Sequence, residues 1–179
     1  MMRLYDYIDH YDLANLIKTL WSRPRAFSGG TLAAKATADP DLKTTTTITF
    51  VVNNKLCTKT AAATIDLSAT TAGVAATAGA GIQAAGKYAA YLVTLTADGT
   101  FDCLKGADAA TAALALAVLP APAADTCPVG ILAVANTTNP FIVGTTNSDA
   151  AGVTFTCTDL SDIPPGYGEG SVYKDTSGE

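Results

Sequence analysis

The clearest helical pattern in the chain runs from Asp9 to Trp21, where Leu13, Leu16, Ile17, Leu20 and Trp21 fall on one face at intervals of three and four. Asp9 can cap its start, Lys18 sits late, where a cation complements the helix dipole, and Pro24 closes the region. Such an apolar stripe needs a surface to cover it. Residues 25–43 carry almost no large apolar side chains and are rich in Gly, Ala, Thr and Asp, so they read as an extended arm without a core of its own. Residues 1–43 are therefore expected to form an N-terminal amphipathic helix and arm, separable from the rest of the chain.

At Thr44 the apolar period changes from that of a helix to that of a strand. Ile48, Phe50 and Val52 alternate with Thr47, Thr49 and Val51, and Asn53-Asn54, two residues tolerant of positive φ, precede a second extended run, Lys55 to Thr60. A hairpin is expected there, with a short third strand at Thr64 to Ser68 and a long surface loop over the Ala/Gly/Thr tract Ala69 to Gly86. Asp98-Gly99 marks a second hairpin between Lys87–Thr96 and Thr100–Lys105. Residues 107–119 have helical propensity and end at Pro120; Leu114, Val118 and Leu119 would form the narrow apolar side of a short Ala-rich helix lying over one sheet edge.

Further strands are expected at Val129–Ala135, Phe141–Val143 and Gly152–Thr158. In the last of these Val153, Phe155 and Cys157 alternate with Thr154, Thr156 and Thr158, as in a sheet with one buried face. About seven or eight short strands with frequent turn signals predict a mainly β fold, an antiparallel sandwich or barrel, over residues 44–160. Pro164-Pro165-Gly166 and three further glycines predict a flexible C-terminal tail over 161–179.

Composition sharpens this picture. The 179 residues are 49% hydrophobic but only 7% aromatic and 15% charged, against roughly 25% charged in an ordinary soluble domain. Ala and Thr make up roughly a third of the chain, so the β surface is expected to be polar without being charged. A net charge of −5 and a pI near 4.7 argue against nucleic acid as a partner. The basic cluster around Arg23 and Arg25 reads instead as cations at a helix end. No window approaches the roughly 20 apolar residues of a membrane span, and Asp6, Asp9, His10 and Asp12 interrupt what would be a signal sequence. Cys57, Cys103, Cys127 and Cys157 show no C-x-x-C spacing, which disfavours a zinc ribbon, and in a chain without export they are expected to be free, buried thiols.

Candidate chemistry is sparse. The single histidine, His10, lies outside the β region. Asp6, Asp9 and Asp12 fit helix capping better than acid–base work, and Asp98 and Asp149 sit where turns ask for Asp. Gly79, Gly81 and Gly86 follow no strand, and no Lys-Ser or Lys-Thr pair completes a phosphate loop. The expectation is a protein that is not an enzyme and needs no metal or cofactor. Tyr5, Tyr7 and Tyr11 with Trp21 make the N-terminus the most aromatic part of the chain. Together with Leu13, Leu16, Ile17, Leu20, Arg23 and Arg25 they are the candidate partner-binding residues, because aromatic and Arg side chains dominate interface hot spots. The same rings could instead fold back on the protein's own domain.

The run Phe50-Val51-Val52-Asn53-Asn54-Lys55-Leu56-Cys57-Thr58-Lys59, then Tyr91-Leu92-Val93-Thr94-Leu95-Thr96-Ala97-Asp98-Gly99-Thr100, resembles virion proteins of tailed bacteriophages. Lys105-Gly106-Ala107-Asp108, an Ala/Leu/Pro stretch, and Cys127-Pro128-Val129-Gly130-Ile131-Leu132 continue the likeness, which covers residues 44–158. The resemblance implies a capsid cement or decoration protein, commonly a homotrimer. It would bind the outer capsid surface and stabilise contacts between copies of the major capsid protein. The virion would then be its location, after assembly in the host cytoplasm. The alternative is a head-fibre or tail-fibre module attached by its N-terminus and presenting the β domain to a host surface. The resemblance carries over no catalytic residues.

Overall fold

The computed structural model describes residues 24–161. The expected helix at Asp9–Trp21, and the tail beyond Ser161, lie outside these residues. Among the described residues the chain is mainly β: nine strands in antiparallel sheets, with two short helices. The strands are β1 (Arg25–Ala26), β2 (Leu32–Ala34), β3 (Leu42–Thr44), β4 (Ile48–Val52), β5 (Lys55–Lys59), β6 (Lys87–Thr96), β7 (Phe101–Lys105), β8 (Thr126–Asn136) and β9 (Val153–Asp159). The helices are α1 (Thr71–Thr77) and α2 (Ala112–Ala117). β1-β4-β5 form one sheet, β2-β3 a second, and β7-β6-β8-β9 a third.

Both hairpins form on the expected turns. Asn53 and Asn54 take φ of 52° and 59°, the pair of left-handed residues that a two-residue turn between twisted strands requires, and β4 pairs with β5 from Val52↔Lys55 to Ile48↔Lys59. In the second, Gly99 has φ 81°, and the Asp98 carboxylate accepts from the Thr96 hydroxyl and from the Thr100 amide (3.1 Å).

One core joins the sheets. Ile48, Phe50 and Val52 of β4 meet Tyr91, Val93 and Leu95 of β6 and Leu132 and Val134 of β8 in a single buried cluster. At one end of it Phe141 stands edge-on to Tyr91 (centroids 6.2 Å, 73°) and to Phe155 (5.5 Å, 81°). Gln83, fully buried, satisfies this end: its Nε2 donates to the carbonyls of Lys87 (2.7 Å) and Val134 (3.1 Å), and its Oε1 accepts from Tyr91 Oη (3.4 Å).

Several expectations are corrected. Residues 25–43 are not an arm without a core: β1 pairs with β4, β2 with β3, and Ala26, Leu32 and Leu42 are buried in the common cluster. Strands of two and three residues are too short to show an alternating pattern. Their places are held by backbone bonds such as Lys35 N–H to Asp41 O (3.0 Å), and by Lys35 reaching Asp39 (3.1 Å) and Asp41 (3.7 Å) across the turn.

The tract 69–86 is not wholly a loop either. Thr70 caps α1 by accepting from Gly73 N–H, and the Asp102 carboxylate on β7 takes both the amide and the hydroxyl of Thr71 (2.7 Å each). Ala72 and Ala76 enter the core, and a Cβ on Gly73 would stand 2.1 Å from the Leu67 carbonyl oxygen, so small residues here reflect close approach of backbone. Thr64–Ser68 and Phe141–Val143 give only isolated bridges, Leu42↔Ile65 and Gln83↔Phe141.

Candidate interaction surface

The third sheet buries one face in the core and presents the other outward. Cross-strand partners share a face, so Leu132↔Cys157 and Val134↔Phe155 look inward, while Ile131↔Thr158, Ala133↔Thr156 and Ala135↔Thr154 look outward. The burial pattern agrees: Leu132 and Val134 are buried, Ile131, Ala133 and Ala135 half-buried, and Thr154, Thr156 and Thr158 exposed.

Part of the outer face has a cover. α2 lies against β6 and β8. The chain then returns past Gly106, where the Val118 carbonyl oxygen would be 3.0 Å from an added Cβ. Under this cover Ala90, Leu92 and Thr94 of β6 are buried. Over β8 and β9 the outer face stays open. A groove of about 160 Å³ runs there beside α2, walled by Ala112 and Ala115 and floored by Ala133, Ala135, Thr154 and Thr156.

Orientation of α2 departs from expectation. Leu114 and Val118, read as its inner side, are 54% and 45% exposed, and Leu116 is 44% exposed; Ala115 is the residue that is buried. The helix begins only at Ala112, behind the Thr111 cap, and a six-residue helix has room for one inward position. The alanine matches the close approach of helix to sheet. The Ala112/Ala115 spacing was the available sequence signal.

Of the predicted partner-binding residues, Tyr5, Tyr7, Tyr11, Leu13, Leu16, Ile17, Leu20, Trp21 and Arg23 lie outside the described residues. Arg25 is half-buried in β1, opposite Val51. It lines a concavity of about 190 Å³ with Pro24, Ala26, Pro128, Leu160 and Ser161. The two ends of the described chain therefore emerge side by side, next to the start of β8.

Two carboxylates on the β body are engaged in turns. The Thr96 hydroxyl, and then the Thr100 amide, hold the Asp98 carboxyl below its ordinary range, and the Ser68 hydroxyl does the same for Asp66. Both carboxylates border a concavity of about 320 Å³ in which the Lys59 ammonium lies 5.5 Å over the Phe101 ring. All four cysteines are free. Burial pushes the Cys103 thiol up and, with help from Asp159, raises Cys157 to about 11, which suppresses the thiolate that cysteine chemistry needs. No group of three or more His, Cys, Asp or Glu side chains among the described residues could hold a metal ion, and no described helix is long and apolar enough to cross a membrane.

Compared with models of known protein families, with curated proteins and with solved structures, the chain matches none.

Proposed function

We propose that this protein is a non-enzymatic structural component of a phage virion, a capsid cement or decoration protein that binds the outer shell and strengthens contacts between major capsid subunits. The observation that carries this reading is that Pro24, just before β1, and Ser161, just after β9, line one concavity, so the β body connects to the rest of the chain at a single place. A body tethered at one end suits attachment. The sequence resemblance over residues 44–158 supplies the virion context, and the Thr-rich, weakly charged exterior suits a protein that works through contacts.

The finer architecture in this reading is a sandwich, with the β1-β4-β5 sheet facing β7-β6-β8-β9 across their common core. Attachment runs through the segment before Pro24, and stabilisation arises by linkage, since a protein that binds only the assembled shell favours assembly. Particles stripped of the protein should lose resistance to heat and to low ionic strength, and regain it when the purified protein is added back. Stripped particles as robust as complete ones would sink the cement reading. Copy number separates cement from fibre: many copies spread over the shell fit the first, a handful at one vertex the second.

A further inference from the structure

The concavity of about 320 Å³ beside the β6–β7 turn is built from three pieces of chain that are distant in sequence. Lys59 ends β5, Thr64 and Asp66 come from the loop before α1, and Asp98, Thr100 and Phe101 come from the second hairpin. Its volume falls within the roughly 300–1,000 Å³ of small-molecule sites.

Lys59 is the unusual member. Its stem packs over Gly99, where an added Cβ would stand 3.2 Å from Cδ, and its ammonium lies 5.5 Å over the Phe101 ring. Asp66 and Asp98 border the same space, yet neither forms an ion pair with it; the lysines in ion pairs among the described residues are Lys35 and Lys105. Packing, not a counter-charge, fixes this cation, and its N–H donors stay available. The carboxylates are fixed separately. Asp98 Oδ1 accepts from the Thr96 hydroxyl and the Thr100 amide (3.1 Å), and Asp66 Oδ1 from the Ser68 amide (2.9 Å) and hydroxyl (2.6 Å). A carboxylate has about four acceptor positions, so each keeps room for a further donor.

A ligand entering this space meets two fixed anionic acceptors, one fixed cationic donor and an apolar wall. Asp66 and Asp98 oppose a phosphate or carboxylate, and Lys59 opposes an ammonium. A neutral ligand with neighbouring hydroxyls suits all three, because each hydroxyl both donates and accepts. We infer that this concavity binds a neutral saccharide, whose hydroxyls donate to Asp66 and Asp98 and accept from Lys59, with an apolar edge of the sugar against Phe101. Such a site belongs to the β body itself and does not depend on the shell reading.

The test is a titration of isotope-labelled full-length protein with glucose, galactose, mannose and N-acetylglucosamine, and with neutral oligosaccharides of these sugars, followed through the backbone amide signals. At least one of them should give saturable shifts confined to residue 59 and residues 64–66 and 98–101. Tighter binding of the monomer or of the oligosaccharide then tells a free sugar from a glycan chain. Lys59→Met, which keeps a stem over the ring, and Asp66→Asn, at an exposed turn, should each weaken binding about tenfold or more and leave the thermal transition in place. No shift with any sugar, shifts centred elsewhere, or unchanged affinity in either variant overturns the assignment. So does tighter binding of glucosamine or glucose 6-phosphate than of glucose at this place, since the site would then select a charged ligand.

Discussion

The two faces of the four-stranded sheet are built on the same strands and have opposite characters. Inward, β6 presents Ala89, Tyr91, Val93 and Leu95, all essentially inaccessible, and these meet Leu132, Val134 and Phe141. Outward, the same strand presents Ala90, Leu92 and Thr94 under a thin cover, and its neighbours present Ala133, Ala135 and a row of exposed threonines. Strand pairing is indifferent to this contrast. What differs is the size of the side chains: large ones fill the inner face, so that the fold is specified there, while small and β-branched ones leave the outer face shallow enough to receive another element.

The contrast can be broken most forcefully from within. Phe141 joins the rings of Tyr91 and Phe155, and Phe141→Ala should cost about 3–5 kcal/mol of stability, measured by denaturant unfolding, because the rigid surroundings cannot close the cavity. A cost below about 1 kcal/mol would mean that this end of the core is loosely packed.

An alkaline titration probes the same face more gently. Burial raises the thiol of Cys103 and the phenol of Tyr91, and takes Cys157 to about 11. Below about pH 8.5 these thiols are protonated in both folded and unfolded chains, so their contribution is fully present. Above it the unfolded chain releases its thiol protons first, and stability should fall progressively toward pH 11. Denaturation midpoints taken across that window should slope downward; a flat profile would contradict the assigned burial.

The smallest effect is expected outside. Leu114 is more than half exposed on α2, and Leu114→Ser should change the stability of the free protein by no more than about 0.5 kcal/mol. A larger loss would show that α2 already has a partner in the isolated protein.

Much of the inner face was legible in the sequence. Alternation marked β4 and β9, and Asn53-Asn54 and Asp98-Gly99 marked both hairpins, β6 among their strands, because a turn needing positive φ leaves a strong residue signature. The parts that escaped are held by features that leave almost no pattern. β1, β2 and β3 are too short for periodicity and depend on pairing with distant residues. α1 is fastened by Asp102, 31 positions away from Thr71. Gln83, the polar centre of the core's end, looked like one more residue of a low-complexity tract, although its side chain joins Lys87, Tyr91 and Val134. On the outer face, reading Leu114 and Val118 as inward assumed that the largest apolar residues face the sheet. The short distance between α2 and the strands selected Ala115 instead.

The proposal that this protein acts by attachment is tested most directly by an image of particles that carry it. The account predicts the β body repeated at many equivalent positions over the outer shell, with the end bearing Pro24 and Ser161 turned toward the capsid. A shell without such density, or a body held by its opposite end, would contradict it.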